Sequence, residues 1–102
     1  MIARHLSKET VLRQLEESAG IIKEYGVRRI GIFGSVLRGE AREDSDLDVL
    51  VEFSEKTFDK CFGLKVFLED LFGAKIDLVI ADKVKSRLRG QIFGEVEYAA
   101  GF

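Results

Sequence analysis

Apolar residues recur at helical spacing near the start of the chain. Val11, Leu12, Leu15, Ala19 and Ile22 form one stripe, which predicts a helix from Lys8 to Tyr25. Ser7 stands where an N-cap belongs and Gly26 where a helix ends. Val27 to Phe33 then alternates as a strand, with Ile30 and Ile32 on the buried side. Gly34-Ser35 breaks that strand into a short helical turn through Leu37, and residues 39–45 form a polar loop. Asp46 to Phe53 is a second strand, whose Val49-Leu50-Val51 run predicts burial on both faces.

After a polar connection from Ser54 to Asp59, the residues Phe62, Leu64, Val66, Phe67, Leu68, Leu71 and Phe72 populate a second long helix stopped by Gly73. Lys75 to Ile80 is a third strand. Val84, Leu88, Ile92 and Val96 recur every four residues and predict a last helix reaching Tyr98, weakened at Gly90 and Gly94 by about 1 kcal/mol each relative to alanine. The order helix, strand, strand, helix, strand, helix predicts an α+β fold. Its form is a two-layer sandwich, with helices packed on a small mixed sheet.

The chain has 102 residues, enough for a single domain spanning 1–102 with one modest core. The formal net charge of -2 argues against a generally basic nucleic-acid binder. Lys83, Lys85, Arg87 and Arg89 are basic, but their spacing spreads them round a helix as a solvated face. Cys61 is the only cysteine, so no intrachain disulfide can form. No apolar run approaches the roughly 20 residues that span a bilayer, and no basic-then-apolar leader begins the chain; the expectation is a cytoplasmic protein without a membrane partner. Cys61 is expected as a small buried hydrophobe, His5 at the surface, and most of Phe58, Phe62, Phe93 and Phe102 in the core.

The chemistry concentrates between residues 34 and 48. Gly34 lets the backbone approach a ligand, the amides after it can face an anion, and the Ser35 hydroxyl adds a donor for a phosphate oxygen. Arg38 can reach phosphate or brace the loop by pairing with Asp44, Asp46 or Asp48; bracing is favoured by its place one turn beyond the Gly-Ser pair. Asp46 and Asp48 are two apart at a strand start, so both carboxylates project to one face, where a shared divalent cation would relieve their repulsion. Mg²⁺ suits a few carboxylates plus substrate phosphates. Asp77, in a strand that is apolar on either side of it, joins them if its strand pairs with theirs, which would make a two-metal site. Alone, the turn is an ordinary turn and the Asp pair a solvated strand start. Their combined spacing is far more specific.

Gly34-Ser35, Arg38-Gly39 and Ser45-Asp46-x-Asp48-x-x-Val51, with Asp77 later, resemble the nucleotidyltransferase superfamily that shares the DNA polymerase beta-like catalytic fold. The closer resemblance is to the minimal nucleotidyltransferases, the MNT or MntA-like proteins, over nearly the whole chain. That resemblance implies Gly34, Ser35 and Arg38 at nucleotide phosphates. It implies Asp46, Asp48 and Asp77 at Mg²⁺, two ions in this family's pattern, with Asp77 also activating the acceptor hydroxyl. It further implies ATP as substrate, and a HEPN-type RNase toxin as partner whose tyrosine receives AMP, the chain acting as antitoxin. Two alternatives stand beside this: a non-catalytic antitoxin that neutralises by contact, and transfer to a small molecule or RNA. An acceptor or a second subunit would have to complete so short a site, so homo- or hetero-oligomers are expected.

Overall fold

The computed structural model describes residues 6–40, 46–55, 57–84, 90 and 92–102. The first predicted helix is two. Helix α1 spans Lys8–Glu17 and α2 spans Ala19–Glu24, broken at Ser18. Serine competes for backbone hydrogen bonds and Gly20 is a weak helix former, so the apolar stripe continues while the backbone helix does not. Ser7 caps α1 as expected, its hydroxyl accepting from the Thr10 N–H at 3.2 Å. Strand β1 is Val27–Phe33, the short helix α3 is Gly34–Arg38, and β2 is Leu47–Phe53, which begins one residue after Asp46. Helix α4 spans Phe58–Phe72, capped by Thr57 and closed by Gly73 at φ 60°. Strand β3 is Ile76–Ile80, followed by a 3₁₀ turn at Ala81–Lys83, and β4 is Glu97–Tyr98.

Residues 85–89 and 91 of the last predicted helix lie outside those described. Gly90, Ile92 and Phe93 are helical, but the chain turns at Gly94 and Glu95 and becomes strand β4. A helix running to Tyr98 is therefore corrected: Glu97 and Tyr98 pair with β1, and that sheet edge overrides the period-four spacing of Val84, Leu88, Ile92 and Val96. Lys85, Arg87 and Arg89 of the basic stretch, His5 and Asp44 also lie outside the described residues.

The sheet is mixed, in the order β3-β2-β1-β4. Strand β1 runs antiparallel to β2 and β4, and β2 runs parallel to β3 across the α4 connection. Ile30, Ile32, Val49, Leu50 and Val51 are all fully buried, as their pattern predicts. One apolar cluster joins Val11 and Leu15 of α1, Ile22 of α2, and Leu64 and Leu68 of α4 to Ile30, Ile32, Leu47, Val49, Val51 and Ile76 of the sheet. Because alternate strand residues share a face, Asp48, Leu50 and Asp77 point to the other side. The core thus leaves the carboxylates of β2 and β3 on the face away from α1, α2 and α4.

Burial corrects two expectations about single residues. Phe58 and Phe62 are surface residues, 82% and 60% exposed, and stack on each other with ring centroids 6.2 Å apart. Phe93, Phe102 and Cys61 are only partly buried.

Candidate functional site

Strand pairing assembles the site. In the parallel register of β2 and β3, Asp48 lies opposite Asp77. In the antiparallel register of β1 and β2, Asp48 lies opposite Phe33, immediately before Gly34. One carboxylate thus meets both its acidic neighbour and the turn. Gly34 has φ +77°, and a Cβ built on it would collide with the Asp48 carboxylate. Only glycine offers both that backbone angle and that space.

The electrostatics follow from this crowding. Asp48 is half-buried, and its carboxyl is raised from the ordinary range to about 6. Burial is the largest cause, followed by the charge of Asp77 and a hydrogen bond with it, and then by the charge of Asp46; Arg38 opposes them. Asp46 and Asp77 are both exposed. The three predicted carboxylates therefore do share a neighbourhood. The preformed unit, however, is the Asp48–Asp77 pair, with Asp46 at its edge. Among the described residues no group of three histidine, cysteine or acidic side chains is already gathered as a metal-holding set. The donor chemistry nonetheless suits a hard divalent cation. The pair offers carboxylate oxygens, and its mutual repulsion is what such an ion would relieve.

The turn places Ser35 half-buried at the start of α3 and Arg38 at its end. Arg38 braces, but among the described residues not through Asp46 or Asp48; Asp44 lies outside them. Among the described residues its Nε donates to Glu40 at 2.9 Å and its Nη1 to Glu95 at 3.0 Å. Its influence on Asp48 is through charge alone. Glu95 is the residue that the sequence pattern missed. Its Oε1 also accepts from the Gly34 N–H, at 3.3 Å. The only trace in the sequence was an acidic residue in the last segment, with nothing to bring it 61 positions back to the turn.

Among the described residues no helix is long and apolar enough to cross a membrane.

A family model described as a nucleotidyltransferase domain matches residues 14–99. The protein adenylyltransferase MntA of Thermococcus cleftensis is 46% identical over 77 residues, covering 74% of this chain and 78% of that protein. A solved structure assigned as a minimal nucleotidyltransferase superposes with a TM-score of 0.79 at 41% identity, covering 91% of this chain and 96% of that one. A chain from a solved complex of a tri-AMPylated Shewanella oneidensis HEPN toxin with an MNT antitoxin superposes with a TM-score of 0.63 at 17% identity, covering 89% and 73%. That last likeness is one of fold.

Proposed function

The chain belongs to the nucleotidyltransferase domain family, and we propose that it is a protein adenylyltransferase antitoxin. In this reading it transfers AMP from ATP to a tyrosine hydroxyl of a HEPN-type RNase toxin. The observation that carries the reading is the register pairing of Asp48 with Asp77, with Asp48 packed against Gly34. Its support from relatives is the 46% identity to an adenylyltransferase of nearly the same span, and the fold shared with a complex whose toxin is AMPylated.

The chain's own residues divide the work. The Gly34 backbone, the Ser35 hydroxyl and Arg38 hold phosphate oxygens and orient the triphosphate. Asp48, Asp77 and, alongside them, Asp46 would hold Mg²⁺, which when bound supplies positive charge to the phosphates and to the departing pyrophosphate. Asp77, exposed at the outer position, accepts the proton of the attacking hydroxyl. The hydroxyl oxygen bonds to the α-phosphorus, the α–β bridging bond breaks, and pyrophosphate leaves with its electron pair. Positioning and charge stabilisation provide most of the acceleration.

The test is transfer of label from α-labelled ATP to the toxin. Asp48→Asn should abolish it in a protein that still folds, and full transfer by that variant would sink the assignment.

A second reading is neutralisation by contact, which the exposed aromatic face of α4 favours. Phe58, Phe62 and Val66 recur at i, i+4 and i+8, with Val66 47% exposed, and none of them belongs to the core cluster. An Asp46→Asn/Asp48→Asn protein that still fully neutralised the toxin would favour contact over transfer.

A further inference from the structure

We propose that Glu95 is an internal stand-in for a nucleotide phosphate, which the triphosphate must displace to bind. The inference rests on the transferase reading above and concerns how its nucleotide site is gated.

Glu95 reaches the turn through strand pairing. β4 runs antiparallel to β1, with Gly31 opposite Tyr98 and Ile32 opposite Glu97. The pairing ends there: Glu95 lies in the turn just before β4 and Gly34 just past the end of β1, so the two meet beyond the end of the paired segment. The Ala99 N–H donates to the Ile30 carbonyl at 2.9 Å, and Lys8 of α1 pairs with Glu97 at 3.1 Å, so the segment after Glu95 is tied to β1 and to α1. The Glu95 carboxylate is thereby delivered to the end of that strand. One oxygen, Oε1, takes both the Gly34 N–H and the Arg38 guanidinium.

A backbone amide and a guanidinium converging on one anionic oxygen match the demands of a phosphate oxygen. Here the anion belongs to the protein. Bringing a triphosphate to the same donors would set it against the Glu95 carboxylate and also beside Asp48, with like charges at contact distance. The carboxylate must leave. Its tether permits that, because β4 is a two-residue pairing at the sheet edge and Glu95 itself lies in a turn. Substrate entry therefore releases the Glu95 segment and frees Arg38 for phosphate.

The experiment is equilibrium binding of AMP-PNP with Mg²⁺ to the wild-type chain and to Glu95→Gln, with adenosine as the phosphate-free control. Losing a charge-assisted competitor should tighten AMP-PNP binding about tenfold and leave adenosine unchanged. Equal or weaker AMP-PNP binding by a folded Glu95→Gln overturns the inference while leaving the transferase reading intact. If neither protein binds AMP-PNP, the transferase reading falls and this inference with it. A second measurement needs no variant. In the wild-type chain, hydrogen exchange in the peptide covering residues 92–99 should speed up at saturating AMP-PNP, and unchanged or slower exchange overturns the release.

Discussion

The space that a β-carbon on Gly34 would need is filled by the Asp48 carboxylate. Strand pairing brings the two together, since Asp48 lies opposite Phe33 at the end of β1. Gly34→Ala therefore meets two separate costs: the φ of +77° and the collision with Asp48. Together these should destabilise the fold by about 1–3 kcal/mol in chemical denaturation. Adding Asp48→Ala should recover the collision part and leave the backbone part of about 1–2 kcal/mol. Strict additivity of the two substitutions would show that the side chains do not compete for this space.

Asp48 also predicts a pH signature in metal-free protein. Its carboxyl titrates at about 6 when folded, against 3.8 as the ordinary value. Between those values the folded state holds a proton that the unfolded chain has released, so stability falls as pH rises from about 4 to 6 and stays lowered above that. Because the group is partly exposed and solvent screens it, the expected loss is only about 1 kcal/mol. Asp48→Asn removes this step. In EDTA at pH 7.5 it should melt at or above the wild-type temperature, although the same change is expected to abolish transfer. A lower melting temperature would contradict the repulsion.

Gly34, Asp48 and Asp77 were legible in the sequence because each is a short-range signal: a helix-initiating glycine, a period-two carboxylate and a strand interrupted by charge. Gly26, Gly73 and the Ser7 cap were legible for the same reason. Strand β4 was not. A two-residue strand has no periodicity of its own, and the spacing of Val84, Leu88, Ile92 and Val96 carried a helical pattern past the Gly94 turn. Glu95 was hidden with it, since it meets Gly34 only because the β1–β4 pairing brings the turn before β4 to the end of β1. The outer face of α4 was misjudged because the helix has two apolar stripes. Leu64, Leu68 and Phe72 face the sheet, while Phe58, Phe62 and Val66 lie roughly opposite.

That second stripe yields its own prediction. Phe58→Ser/Phe62→Ser removes exposed rings, so the only folding loss is their stacking, worth about 0.5–1 kcal/mol. The proposed transfer site lies on the other face of the sheet, so transfer should proceed at the wild-type rate on a small acceptor in excess. Affinity for the proposed toxin partner should fall if α4 is its docking face, which titration calorimetry of the pair would read. A loss of several kcal/mol in folding stability would mean that the rings are core after all.

Gly31 tests the edge strand that delivers Glu95. Its backbone is ordinary, but a Cβ there would stand 2.7 Å from the Glu97 carbonyl oxygen and 3.0 Å from both Tyr98 and Val96. The carbonyl cannot rotate away as a side chain could, so Gly31→Ala should push β4 off β1. The rest of the sheet is held by the longer β1–β2 and β2–β3 pairings and should persist. Limited proteolysis should then cut within residues 92–102 well before the core opens. If Glu95 competes with nucleotide, AMP-PNP should bind Gly31→Ala more tightly than wild type, by a factor approaching that of Glu95→Gln. Weaker binding by a protein whose β4 has been released would instead make the strap part of the nucleotide site.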